Sequence, residues 1–230
     1  MDEPVIKAVE RKKELFEVVV FLLLIVPSMI IPFLALGQAK IGFPILAMSI
    51  IARDIALTCL VVFFLWRDGE PLARLGWKLS GLKQEAALGA ALFFPILYGE
   101  FLILKVFEWF GFSSDMSRIP RFLTARGPAE IFLAFILVAV VAVAEETIFR
   151  GYLILRFNSL VGSIAAAVLI SSALFSLGHG YEGAAGVGAV GVLGIIFALL
   201  YVWRKSLVAP VVLHFLIDFF PLVLLPLLGK

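Results

Sequence analysis

Two adjacent glutamates in a strongly apolar stretch, Glu145 and Glu146, are the first residues of this sequence that could do chemistry. On a helix, neighbouring residues point about 100° away from each other, whereas residues four apart share a face. Arg150 can therefore reach and neutralise Glu146, which leaves Glu145 without a partner on its own helix. An unpaired, desolvated carboxylate is suited to act as a general base. The alternative is that both glutamates only join a helix-packing network.

The chain has two histidines, and both lie in or beside apolar segments. His214 and Asp218 are four residues apart and share a helical face, which can fix an imidazole tautomer, bind a metal or hold an oxyanion. A lone histidine such as His179 would more simply hydrogen-bond a backbone carbonyl. Because both histidines occur with Glu145 and Asp218 on three separate late segments, we predict a convergent polar site.

The segments that must position these residues are membrane-spanning helices. Hydrophobic residues make up 63% of the 230 residues and charged residues 16%, whereas soluble domains have roughly 45–50% and about 25%. A soluble fold of this size cannot bury so much apolar surface. Cys59 is the only cysteine, which excludes an intrachain disulfide and a Cys-based zinc cluster. The net charge of +2 is too small to indicate nucleic-acid binding.

We predict an all-α, polytopic membrane protein with about seven transmembrane helices and its catalytic core in the last four. Residues 4–17 predict either a helix on the membrane surface or a solvated tail. Residues 1–128 then comprise this segment and the first three spans, and residues 129–230 comprise the core of the same membrane domain. The predicted spans are 15–36, 42–65, 85–109, 129–157, 160–179, 184–203 and 207–228.

Basic residues at the helix ends predict a cytoplasmic N-terminus. Eleven Lys and Arg residues lie on the side of the N-terminus and five on the opposite side. The compact chain favours a prokaryotic plasma membrane. The eleven are Lys7, Arg11, Lys12, Lys13, Arg67, Arg74, Lys78, Lys83, Arg156, Arg204 and Lys205, and the five are Lys40, Arg118, Arg121, Arg126 and Lys230.

Three further charges, Arg53, Asp54 and Glu100, lie inside the second and third predicted spans. Ionisable residues within a membrane are costly and mark either function or pairing. Because Arg53 and Glu100 lie at similar depths, we predict an ion pair between their helices rather than a catalytic role.

The predicted site residues start at different depths. Counted from the cytoplasmic ends of their spans, Glu145 lies about 11 residues deep, His179 about 19 and His214 about 8, a spread of roughly 15 Å. Straight helices would not bring these groups together. We therefore expect helix tilt, a broken fifth helix or a hairpin that starts outside the bilayer, with irregular backbone lining a water-filled cavity.

The sequence resembles a known family at three motifs: Glu145-Glu146-x-x-x-Arg150, Phe175-x-x-x-His179 and His214-x-x-x-Asp218. They are similar to the signature motifs of the CAAX-protease and bacteriocin-processing (CPBP, or Abi) intramembrane endopeptidases. The resemblance covers about Ala129 to Leu228, the final hundred residues. The third motif often ends in Asn, whereas Asp218 adds a possible negative charge. The resemblance implies that Glu145 activates a water with help from His179. His214 and Asp218 would stabilise the oxyanion or help hold a metal, and Glu146, Arg150 and Phe175 would shape the site.

The cofactor and the partners follow from the same resemblance. His179, His214 and Glu145 are the candidate ligands of a zinc ion, but we expect a glutamate-activated water that works without a metal. The expected partners are the lipid bilayer and a peptide or lipidated-protein substrate, with no nucleic acid. The substrate is either a C-terminal tail with a lipidated Cys, a leader peptide or another membrane protein. The alternatives are a scaffold or immunity factor and a transporter, which predicts an inverted repeat that the sequence does not show.

Overall fold

The computed structural model describes residues 3–36, 42–78, 80–112 and 124–228, and these ranges are helical without a β-strand. The prediction of an all-α protein is confirmed for them. The α-helices are α1 (Glu3–Leu36), α2 (Phe43–Arg67), α3 (Leu82–Trp109), α4 (Gly127–Glu145), α5 (Ile154–Val161), α6 (Ile164–Leu177), α7 (Gly183–Arg204), α8 (Val208–Phe219) and α9 (Leu225–Leu227). Short 3₁₀ helices (Leu72–Leu75, Gly180–Glu182) and π-helical turns (Glu146–Leu153, Phe220–Leu224) connect them.

Five helical segments in the described ranges are long and apolar enough to cross a bilayer. They support an integral membrane protein, while the exact count of seven spans stays a prediction. The fifth predicted span corresponds to α6, whose 14 residues reach only about 21 Å, less than a hydrocarbon core of about 30 Å. The five segments are Phe43–Arg67, Leu82–Trp109, Gly127–Val161, Gly180–Arg204 and Val208–Leu227.

The charged N-terminal stretch is helical and continues without a break into the first predicted span, so that α1 has 34 residues. Polar contacts fasten it to the end of α5. Arg11 Nη2 donates to the carbonyl oxygen of Leu160 at 3.0 Å, and Ser159 Oγ donates to Glu14 Oε2 at 2.7 Å. This half of α1 is therefore docked on the protein rather than a solvated tail.

The segment that carries the two glutamates is one 35-residue helical run, Gly127–Val161. Its middle is a π-helical turn, Glu146–Leu153, which inserts an extra residue into the helix and rotates the residues after it. The run ends at Gly162, where φ is +75° and an L-side chain would be strained. Ser163 then starts α6, and its side-chain oxygen accepts a hydrogen bond from the Ala166 backbone N–H at 3.3 Å.

Close helix contacts at glycine bring the site helices together. A Cβ on Gly89 of α3 would lie 2.5 Å from the carbonyl oxygen of Ala209 in α8, so only glycine permits this approach. The α2–α3 connection is tied to α8 and to the π-helical turn, because Leu207 N–H donates to the Gly76 carbonyl oxygen at 3.1 Å and Trp77 Nε1 donates to Thr147 Oγ1 at 3.1 Å.

Candidate active site

Glu145 is the last residue of α4, and its carboxylate lies between two cationic or polar groups of other helices. Its Oε1 is 3.9 Å from Arg53 Nη2, and its Oε2 is 3.8 Å from His214 Nε2. Both distances exceed that of a hydrogen bond, and Oε2 is buried with no hydrogen-bond partner among the described residues. The geometry leaves this carboxylate available to a bound molecule.

Glu146 and Arg150 form the predicted ion pair. Arg150 Nη1 lies 3.0 Å from Glu146 Oε1, and both side chains are almost completely buried. The guanidinium carbon of Arg150 lies 4.1 Å from the ring centre of Phe175 and 5.2 Å from that of Phe197, distances at which a cation is attracted to an aromatic face. Burial of this pair therefore leaves neither charge uncompensated.

His214 is oriented by the same carboxylate. Its Nδ1 donates to Glu146 Oε1 at 2.8 Å, the oxygen that also pairs with Arg150. The opposite nitrogen, Nε2, lies 3.5 Å from Asp218 Oδ2. The predicted proximity of His214 and Asp218 is therefore present, and the Glu146 contact turns Nε2 toward Asp218 and Glu145.

His179 lies in the turn after α6, which ends two residues earlier. Its Nδ1 is 3.3 Å from the carbonyl oxygen of Phe175. Since a carbonyl oxygen only accepts, Nδ1 carries the proton and Nε2 is left as an acceptor. His179 lines the same cavity as Glu145 and His214, so the fold brings these groups together despite the depths counted from the sequence.

The four predicted catalytic residues line one cavity of about 200 Å³, enough for several water molecules at about 30 Å³ each. Glu146, Arg150 and Phe175 lie behind its wall, where they hold His214 and His179. The polar residues that line the cavity are Arg53, Asp54, Glu145, His179, Tyr181, Glu182, His214 and Asp218.

The predicted ion pair between Arg53 and Glu100 is wrong. Arg53 Nε instead donates to Asp54 Oδ1 at 2.7 Å, and the guanidinium faces Glu145. The reason is the packing, since α2 lies against α4, whereas α3 lies against α7 and α8. An arginine in the middle of an apolar span was itself the signal that places Arg53 at the site.

Two further lining residues, Tyr181 and Glu182, were not predicted. They belong to the 3₁₀ turn that follows His179, and their position in the sequence, two and three residues after a predicted site histidine, was the available signal.

The donor set does not fit the zinc site considered from the sequence. Among the residues that the structure describes, no three His, Cys, Asp or Glu side chains are grouped so that they could hold a metal ion. No step of the proposed mechanism runs through a metal.

Comparison with known families agrees with the motifs. Residues 127–220 match the family model described as type II CAAX prenyl endopeptidase Rce1-like. This segment contains every site residue predicted from the three motifs, from Glu145 to Asp218. No match was found among curated proteins or among solved structures. The resemblance seen in the motifs is thereby confirmed: over residues 127–220 the chain is similar to the Rce1-like type II CAAX prenyl endopeptidases.

Proposed function

We propose that the protein is an intramembrane endopeptidase in which Glu145 activates the attacking water. The observation that carries this proposal is the buried Glu145 carboxylate, whose Oε2 has no hydrogen-bond partner among the described residues. It faces a cavity of about 200 Å³ that His179, His214 and Asp218 also line. Such a carboxylate beside a cavity that can hold water is suited to general-base work.

The first step is attack of water on the scissile carbonyl carbon. Glu145 takes one proton from the water while the water oxygen forms the new bond to the carbonyl carbon. Nε2 of His179 accepts a hydrogen bond from the same water and orients it, because Nδ1 of that ring is held by the Phe175 carbonyl oxygen.

The second step is collapse of the tetrahedral intermediate. His214 lies among the carboxylates of Glu145, Glu146 and Asp218, which favour its doubly protonated form, and Nε2–H then donates to the oxyanion. Glu145 returns its proton to the leaving nitrogen as the C–N bond breaks. The products are a new carboxyl terminus and a new amine.

The substrate class that the family match supports is a C-terminal tail with a prenylated Cys. A leader peptide or another membrane protein is the alternative from the sequence. These are distinguished by paired peptides of identical sequence, one farnesylated on Cys and one not, with cleavage sites read by mass spectrometry. We expect cleavage of the farnesylated peptide at least tenfold faster.

The role of Glu145 is tested by Glu145→Gln in purified, detergent-solubilised protein. The substitution keeps the size of the side chain and removes the base, so we expect cleavage to fall at least a hundredfold, the order of a general base's contribution, with an unchanged melting temperature. The matched control is Glu10→Gln at an exposed position of α1, which should retain wild-type activity. Substantial cleavage by Glu145→Gln would contradict the proposal.

We also propose that the N-terminus is cytoplasmic. The support is that α1, the α2–α3 connection and the end of α5 meet at one end of the molecule: Arg156 Nη1 donates to Glu70 Oε1 at 3.0 Å and lies 3.5 Å from Glu14 Oε1. These segments carry most of the eleven basic residues counted in the sequence.

A further inference from the structure

A second cavity, of about 430 Å³, lies at the basic end of the molecule. Its walls come from four parts of the chain that are distant in sequence: the α2–α3 connection, α5, the first residue of α6 and the end of α7. The mechanism proposed above uses none of its residues. They are Ala73, Arg74, Gly76, Lys78, Ile154, Leu155, Asn158, Ile164, Tyr201, Val202 and Lys205.

The charge of this cavity is positive. Arg74, Lys78 and Lys205 line it, and none of the lining residues is acidic. Lys78 and Lys205 form no ion pair within the described ranges, and Arg74 pairs only with Glu70 outside the cavity, at 2.7 Å. Asn158 adds an amide N–H₂ donor. These groups provide what a phosphate needs: several cationic donors and no competing carboxylate in the wall.

The rest of the wall is apolar. Ile154, Leu155, Ile164 and Val202 line the cavity together with Tyr201, and all of them belong to α5, α6 or α7. A free phosphate ion gains nothing from such a wall, whereas an acyl chain buries against it. The combination of a cationic rim and an apolar wall therefore favours a phospholipid over a soluble anion.

The cavity is held open by contacts within the fold. The Gly76 carbonyl oxygen accepts from Leu207 N–H at 3.1 Å, and a Cβ on Gly76 would lie 2.8 Å from the Tyr201 ring. Lys205 follows the last residue of α7 and has a φ of +52°, in the left-handed region. This backbone turn fixes the direction in which the chain leaves α7 at the cavity. A pre-formed site loses less entropy when a ligand binds.

We infer that this cavity binds one anionic phospholipid, with the headgroup phosphate among Arg74, Lys78 and Lys205 and an acyl chain against Ile154 and Leu155. Basic pockets between membrane helices on the cytoplasmic side are suited to anionic headgroups, and positive charges there are attracted to the anionic leaflet. The lipid would join the α2–α3 connection to α5 and α7, in addition to the contacts that Arg156 makes with Glu70 and Leu207 with Gly76.

The test uses the full chain in a neutral detergent and native mass spectrometry. Phosphatidylglycerol and phosphatidylcholine with identical acyl chains are titrated separately. We expect one tightly bound phosphatidylglycerol per chain and at least tenfold weaker binding of phosphatidylcholine. The double variant Lys78→Gln/Lys205→Gln should weaken phosphatidylglycerol binding at least tenfold, and Lys78→Gln alone, in a non-helical segment, should weaken it about threefold.

The matched control is Lys12→Gln/Lys83→Gln, which removes the same charge from exposed positions outside the cavity. It should bind phosphatidylglycerol within twofold of wild type. The melting temperature of each variant is measured as well, and only variants that melt at the wild-type temperature are compared. If the control and the cavity variants lost phosphatidylglycerol affinity equally, the lipid would be held by general charge attraction and not at this cavity, which would overturn the inference. Displacement of the lipid by millimolar inorganic phosphate would assign the site to a free anion and overturn the lipid as its occupant.

Discussion

Nη2 of Arg53 lies 3.9 Å from Oε1 of Glu145, while Nε of the same guanidinium donates to Asp54 at 2.7 Å. One cation of α2 therefore stands between two carboxylates, one on its own helix and one at the end of α4. The Asp54 side chain is only 2% exposed, whereas those of Arg53 and Glu145 are 27% and 15% exposed, so water screens these charges only in part.

Arg53→Gln is expected to lower kcat at least tenfold, because it removes the cation that balances Glu145 and Asp54 and holds the base in place. Arg53→Lys should recover part of the loss, since it restores the charge without the planar fork. The measurement is kcat and KM for the cleaved peptide, with the melting temperature as the check of folding. Wild-type kcat in a folded Arg53→Gln protein would exclude a role for this contact.

Glu146→Gln is expected to destabilise the protein by about 3 kcal/mol, the scale for breaking a buried ion pair. Arg150 loses its charged partner, and His214 loses the carboxylate that accepts from Nδ1. Thermal unfolding in detergent measures the effect, with exposed Glu10→Gln as the control. If both Glu146→Gln and Arg150→Ala unfolded like wild type, the pair would have no structural role.

The interhelical contact at Asp68 is expected to weaken in acid. Burial opposes the charged form, but hydrogen bonds from Lys13 and Arg67 outweigh it and lower the pKa of Asp68 from 3.8 to about 2. A carboxyl whose pKa is lower in the folded state stabilises the fold above its unfolded pKa, and this contribution is lost as the pH falls from about 4 to about 2.

The measurement is the difference in melting temperature between wild type and Asp68→Asn. We expect wild type to be the more stable at pH 6 and the difference to shrink toward pH 3. A difference that stayed constant over this range would refute the assignment.

Cleavage is expected to survive metal removal. The described site residues do not form a metal-binding group, so a strong chelator should leave the rate within twofold of the untreated protein. Elemental analysis of active protein should find well under one metal per chain. Stoichiometric zinc that is lost together with activity in His179→Ala, and that restores activity to wild-type apoprotein, would replace this mechanism with a metal-dependent one.

A topology reporter fused near Leu75 is expected to read cytoplasmic and one near Ser114 external, because basic residues concentrate at the first of these ends. Ser114 lies outside the described residues, as do Lys40, Arg118, Arg121 and Lys230 from the opposite side of the charge count. The reverse reporter pattern would show that the proposed orientation in the membrane is wrong.

The sequence by itself was sufficient for the membrane class, for the all-α fold of the described ranges and for the Glu146–Arg150 and His214–Asp218 contacts. Each of these rests on composition or on neighbours within one helix, where a spacing of four residues determines the shared face. The three motifs also indicated the family that residues 127–220 resemble, because the order of their residue types requires no knowledge of how the helices pack.

Only the tertiary structure decided which helices face each other. Arg53 contacts Glu145 and not Glu100 because α2 packs on α4. The helical periodicity of one span contains no information about which other span packs against it. The link from His214 to Glu146 and the turn that brings His179 to the cavity also depend on packing between segments far apart in sequence. Long-range contacts of this kind arise from how the side chains of separate helices fit together, which no local pattern of one helix specifies.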